Sequence, residues 1–218
     1  MKVTIEYPEN LNEISVGQYQ RYLIATKDID GEFLYQRTIE TLCNVPFERV
    51  ILMTHKDVKE IAEHLHNLLN GEVEFKQRFK IKSQEFGFVP NLEEITTGEF
   101  ADLTTYLGKT EEMHKAMAVL FRPIVKKEGD KYNICEYNGT KEFSDLMKFM
   151  PLGIAFGSMV FFYNLVNDLK NATEHSIRQE AIQILSAEFP TLEKNGDFTK
   201  ISTHSLKVML EGLTKSVN

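Results

Sequence analysis

The chain contains no tryptophan, and only two cysteines and six prolines among its 218 residues. Cys43 and Cys135 form neither a CxxC pair nor a metal-ligand spacing, so they read as free thiols in a reducing compartment. Six prolines and twelve glycines are too few for a fibrous or low-complexity chain. A positive balance is missing as well. Twenty-five Lys+Arg stand against 32 Asp+Glu, a formal charge of −7, whereas nucleic-acid binders draw much of their affinity from neutralising phosphates. Nucleic acid is therefore not expected as the main ligand. The opening MKVTIEYPEN lacks the apolar core of a signal peptide.

Catalytic signatures are missing too. No GxxxxGK[ST] loop, GxGxxG turn, HExxH helix or GxSxG elbow occurs. His64 and His66 sit two apart on an expected helix and so point to different faces. His114, beside Glu111 and Glu112, reads as an ion-paired or exposed helix residue. No catalytic residue, metal or cofactor is expected, and the chain is not read as an enzyme.

What is present is an ordinary globular composition, 42% apolar and 26% charged, long enough to bury a sizeable core. Alternation over Val3, Ile5 and Tyr7 predicts a short strand ended by Pro8. Ser15 and Gln18 form a capping box ahead of Tyr19, Tyr22 and Leu23. A helix is expected over 32–43 with Phe33, Ile39, Leu42 and Cys43 inward, then one turn at 47–50. Thr54 caps a helix over 55–69 that Asn70-Gly71 ends.

Val73, Phe75, Phe79 and Ile81 alternate with charged neighbours, which predicts a strand with one wet face; residues 86–89 could pair with it. Lys76, Arg78, Lys80 and Lys82 form that wet face. Helices follow over 97–107 and 111–121, then a hairpin turning at Glu128-Gly129-Asp130. The last third reads as helical, including 174–188 and 202–213. The fold class is α+β, mainly α-helical with short antiparallel strands.

The phrase PENLNEISVGQYQRYL returns as VPNLEEITTGEFADLT. Asn10, Leu11, Glu13, Ile14 and Gly17 match Asn91, Leu92, Glu94, Ile95 and Gly98. This implies a duplicated N-terminal unit. Three segments are expected, packed into one globular body: a first repeat unit at 1–85, a second at 86–142, and a helical C-terminal region at 143–218.

KFMPLGIAFGSMVFFYNLVNDLK is the most apolar stretch, and Gly153 and Gly157 place a GxxxG within it. Phe149 to Val166 carries no charge and just reaches spanning length. Three readings stand in order: a central buried helix, a partner-binding helix, and a membrane span. The small residues admit another backbone without choosing whose.

LNEISVGQYQRYLIA…LYQRTIETLCNVPFERVILMTHKDVKEIAEHLHNLL, within residues 11–69, resembles the small tail assembly chaperones of tailed bacteriophages. Cys43-Asn44-Val45-Pro46, Val50, Met53, Asp57-Val58, Ile61, Leu65 and Leu69 follow that family's cadence, with Asn44 where a glycine is expected. FGFVPNLEEITTGEFADL and MPLGIAFGSMVFFYNLVNDL are similar in style to proteins of phages infecting Bacteroidota-type bacteria.

The resemblance implies a non-enzymatic assembly factor that binds tail or neck proteins during virion morphogenesis, acting in the host cell cytoplasm. A structural protein retained in the virion (portal, neck, tail or capsid) is the alternative, and a membrane-associated factor the third reading. Tyr19, Tyr22, Met147, Met150, Met159 and Phe162 are the candidate partner-binding residues, since aromatics and methionines suit adaptable contact surfaces.

Overall fold

Side-chain caps at Ser15, Thr54 and Thr96 set the starts of three of the helices. The computed structural model describes residues 5–129 and 131–172. Helix α1 (Val16–Ala25) begins at Ser15, whose hydroxyl accepts from the Gln18 amide while the Gln18 side chain accepts from the Ser15 amide, the expected reciprocal box. Helix α2 (Gly31–Leu42) and one-turn α3 (Phe47–Val50) follow. Helix α4 (His55–Leu69) is capped by Thr54, and Val58, Ala62, Leu65 and Leu69 face the core at helical spacing.

Residues 5–7 form no strand, contrary to their alternation. No neighbouring strand is available to them among the described residues. Instead Tyr7 packs edge-on against His64 of α4, and His64 Nε2 lies 3.0 Å from the Pro8 carbonyl.

Strands β1 (Arg78–Ile81), β2 (Gln84–Phe88), β3 (Phe121–Glu128) and β4 (Lys131–Ile134) form an antiparallel sheet in sequence order. Register pairs Phe79 with Phe86 and Phe88 with Phe121 on the core face. The strand expected to run from Val73 is cut to four residues. Phe75 is diverted from it, stacking flat on Phe161 with ring centroids 3.9 Å apart. Between β2 and β3 lie α5 (Thr97–Leu107) and α6 (Met113–Leu120).

After the hairpin come α7 (Ser144–Met147) and α8 (Leu152–Ala172). Every residue from Leu152 to Val160 is buried, as a central helix requires. Its two glycines admit backbone and side chain of this same chain. A Cβ on Gly157 would lie 2.3 Å from the Glu74 carbonyl oxygen, and one on Gly153 would lie 2.7 Å from Asn12 Oδ1. Among the described residues no helix is long and apolar enough to cross a membrane.

The start of α8 is stitched to the start of α1. Val16 N donates to Met150 O at 2.9 Å, Gly17 N to Lys148 O at 2.8 Å, and Leu152 N to Ile14 O at 2.8 Å. One contiguous core runs from Leu11 to Tyr163. The fold is α+β, mainly helical, with a small antiparallel sheet.

The repeated phrase has a repeated local shape: a 3₁₀ turn at Leu11–Glu13 or Leu92–Glu94, then a boxed cap at Ser15/Gln18 or Thr96/Glu99. Beyond that the copies part. A strand precedes only the second among the described residues, and α2 leads to α3 and α4 where α6 leads straight into β3. Gly17 packs on the Lys148 backbone, whereas Gly98 is exposed. The recurrence is thus a turn and a capped helix, and it does not extend to the whole expected unit. The helices expected at 174–188 and 202–213 lie outside the described residues.

Candidate interaction surface

The six residues nominated as contacts are all core. Tyr19, Tyr22, Met147, Met150, Met159 and Phe162 are each less than one-tenth exposed. Tyr19 packs edge-on against Phe156 of α8 at 5.1 Å. Tyr22 lies 6.0 Å from Tyr19, and Met147 and Met150 close the junction between α7 and α8. In this structure none of them offers a surface to a partner, because all six are packed into the one core.

The exposed apolar residues lie elsewhere. Phe33 at the start of α2 is 46% exposed, against its expected inward place. Ile51 and Leu52, just after α3, are 54% and 60% exposed. Phe33 meets half-buried Phe47 edge-on at 5.8 Å, and the Arg37 guanidinium sits over both rings at 5.6 and 5.7 Å. Glu40 pairs with Arg37 from one turn further on. Glu32 and His55, 3.0 Å apart, tie the starts of α2 and α4 together beside this group.

A signal for it was present in the sequence. Val50 to Met53 is a run of four apolar residues in and after a single turn of helix, and such a turn cannot face all four inward. Val50 takes the core position, Met53 is half-buried, and Ile51 and Leu52 are left in water. Isolated exposed apolar residues such as Ile24, Val125 and Phe149 are ordinary on any surface. The α2–α3 set differs in being drawn from two packed elements.

Two buried polar groupings are structural in character. Glu99 is only 4% exposed: one carboxylate oxygen accepts from the Thr96 amide and hydroxyl, and the other accepts from Arg122 Nη2 at 2.7 Å. The carboxylate is fully engaged. Beside it Tyr137 hydrogen-bonds Asp102, and burial, with that carboxylate next, pushes the phenol pKa well above its ordinary value.

In the second grouping, His114 is buried rather than exposed or ion-paired as its neighbours suggested. Gln20 Nε2 donates to the carbonyls of Thr110 and Glu111 and lies 3.0 Å from His114 Nδ1. The amide shares its two hydrogens among these three acceptors, and since an amide nitrogen cannot accept, the ring contact requires Nδ1 to be the acceptor. Burial pushes the Cys43 thiol up to about 12, which keeps it protonated and unreactive.

Among the described residues no three His, Cys, Asp or Glu side chains cluster as a metal site would need. A half-open cleft of about 290 Å³ lies between the turn before α1, the end of α4 and the start of α8, lined by Asn10, Asn12, Glu72, Glu74 and Lys76 among others. No known protein family matches the chain, and neither a curated protein nor a solved structure matches it.

Proposed function

We propose that the chain is a non-enzymatic phage assembly factor that binds tail or neck proteins during virion morphogenesis in the host cell cytoplasm. The observation that carries the reading is the exposed apolar set Phe33, Ile51 and Leu52, which lies inside the 11–69 segment resembling tail assembly chaperones. Large apolar side chains on α2 and on the turn after α3 cover complementary apolar surface on a partner. In this role the surface shields an aggregation-prone face of a tail protein until polymerisation displaces it.

The test is a tagged pull-down from the native source cell, with mass spectrometry on separate soluble and membrane fractions. Recovery of tail, neck or portal proteins from the soluble fraction, lost in Phe33→Ser/Leu52→Ser, supports the reading. Recovery with membranes or with metabolic proteins alone overturns it. Quantifying the chain in purified particles separates an assembly factor, which leaves, from a component retained at fixed stoichiometry.

A further inference from the structure

The basic segment 76–82 contains the strand at one end of the sheet. Strand β1 is terminal in the sheet order, so among the described residues no strand pairs with its outer side. Phe79 and Ile81 face the core, and Arg78 and Lys80 face the other way. On that outer face Glu85 of β2 receives Lys127 Nζ of β3 at 3.1 and 3.3 Å. The Lys127 hydrogen bond first, and then the charges of Lys127, Lys80 and Arg78, hold the Glu85 carboxyl below its usual range. Glu85 is thus taken up by Lys127, and Lys80 beside it has no carboxylate of its own among the described residues. Lys76, Lys80, Lys82 and Lys131 are exposed and make no ion pair with any described residue.

A single lysine on an edge is enough to deter a neighbouring strand. Here the cations recur along the whole short edge, with more charge than deterrence requires. Their common sign repels the same edge of a second copy and attracts a strand of opposite charge.

Two features disfavour a nucleic acid as the occupant. The aromatic on this face, Tyr132, has one side of its ring against Gly87 and the Arg78 guanidinium 5.9 Å from its centroid, so it offers no platform for a base. A polyanion longer than the four-residue strand would also run onto the surface of a chain whose net charge is −7.

We infer that the edge of β1, which no described strand pairs with, receives an extended acidic segment of a partner protein, which adds to the sheet by backbone hydrogen bonds and sets carboxylates opposite Lys80 and the flanking Lys76 and Lys82. This surface is separate from Phe33, Ile51 and Leu52, and the inference does not rest on the assembly reading.

The full chain is titrated, with fluorescence anisotropy as readout, against a labelled peptide alternating glutamate with threonine. A peptide with lysine for glutamate and a single-stranded thymidine oligonucleotide serve as comparisons. The acidic peptide is expected to bind, to weaken as salt rises, and to protect the β1 amides from hydrogen exchange. In Lys80→Glu/Lys82→Glu the affinity falls by about tenfold or more. Lys56→Glu/Lys59→Glu makes the same charge change on exposed α4 and leaves binding at β1 much less affected. Circular dichroism confirms that both variants are folded. An oligonucleotide that binds as well as the acidic peptide overturns the inference, as does binding without β1 protection, an equal loss in both variants, or no binding of the acidic peptide.

Discussion

Tyr132 occupies the space that a side chain at Gly87 would need. A Cβ there would lie 2.3 Å from Tyr132 Cε2, and the Tyr132 hydroxyl reaches past it to donate to the Phe88 carbonyl at 2.8 Å. The ring thus crosses from β4 over β3 to lock the first strand pair. Gly87→Ala is expected to cost about 1–3 kcal/mol through displacement of that ring. In a Tyr132→Ala background the same change becomes nearly neutral, because the obstacle is gone. Urea unfolding of the four-member cycle measures the coupling, and additive effects would refute it.

The two glycines of α8 should respond unequally to alanine. At Gly157 the obstruction is the Glu74 backbone, which cannot swing aside, so Gly157→Ala should destabilise by about 1–3 kcal/mol. At Gly153 the nearest atom is the end of the Asn12 side chain, which can turn away. Gly153→Ala should therefore cost less than Gly157→Ala, about 1 kcal/mol or under, with Leu11 Cβ at 3.3 Å the remaining crowding. Thermal melts of the two variants decide; equal losses would contradict the contact at Glu74.

Asn44 holds φ +51 in the turn after α2, at the position where the chaperone cadence has glycine. Its Oδ1 also accepts from Arg21 at 3.1 Å in an exposed setting. Asn44→Gly should therefore change stability little, relief of backbone strain offsetting a weak hydrogen bond. Asn44→Ala loses the bond and keeps a Cβ in the left-handed region, so it should be less stable than Asn44→Gly by about 1 kcal/mol. Denaturant midpoints of the two variants test the order.

His114 gives stability a pH dependence with a definite sign. Burial first, and then the charges of Lys148 and Lys115, lower its pKa below the ordinary value, while Asp145 and Glu112 pull weakly the other way. The unfolded chain therefore binds the proton more readily than the folded one. The contribution is complete above the unfolded pKa of about 6.5 and is lost as pH falls through the lower folded value. His114→Asn keeps an acceptor for Gln20 without titrating. Its melting temperature should fall less than the parent's between about pH 7 and about pH 5. Parallel slopes would remove His114 as the cause.

The Glu99–Arg122 pair closes the face of the sheet beneath α5. Glu99→Gln leaves Arg122 buried at 7% exposure without its counter-charge, and also weakens the Thr96 cap. A loss of about 3–5 kcal/mol is expected, as for breaking a buried pair from one side. Replacing both with apolar residues should cost less than the single change. Chemical denaturation of the three variants checks that ranking.

What could be read from the sequence alone was decided within a few residues. The box at Ser15/Gln18, the Thr54 cap and the 55–69 stripe follow from i,i+3 and i,i+4 spacings, and all three appear as read. The hairpin at Gly129 and the burial of residues 152–160 follow likewise from local pattern. Tertiary structure decided everything that required a partner from far along the chain. Alternation at 5–7 could not supply a neighbouring strand, and Phe75 left its strand to meet Phe161. Phe33 turned outward to meet Phe47, and the GxxxG face closed on Asn12 and Glu74 of the same chain. The six nominated contact residues are core for the same reason: an apolar side chain states that it will be covered, and only the assembled fold determines by what.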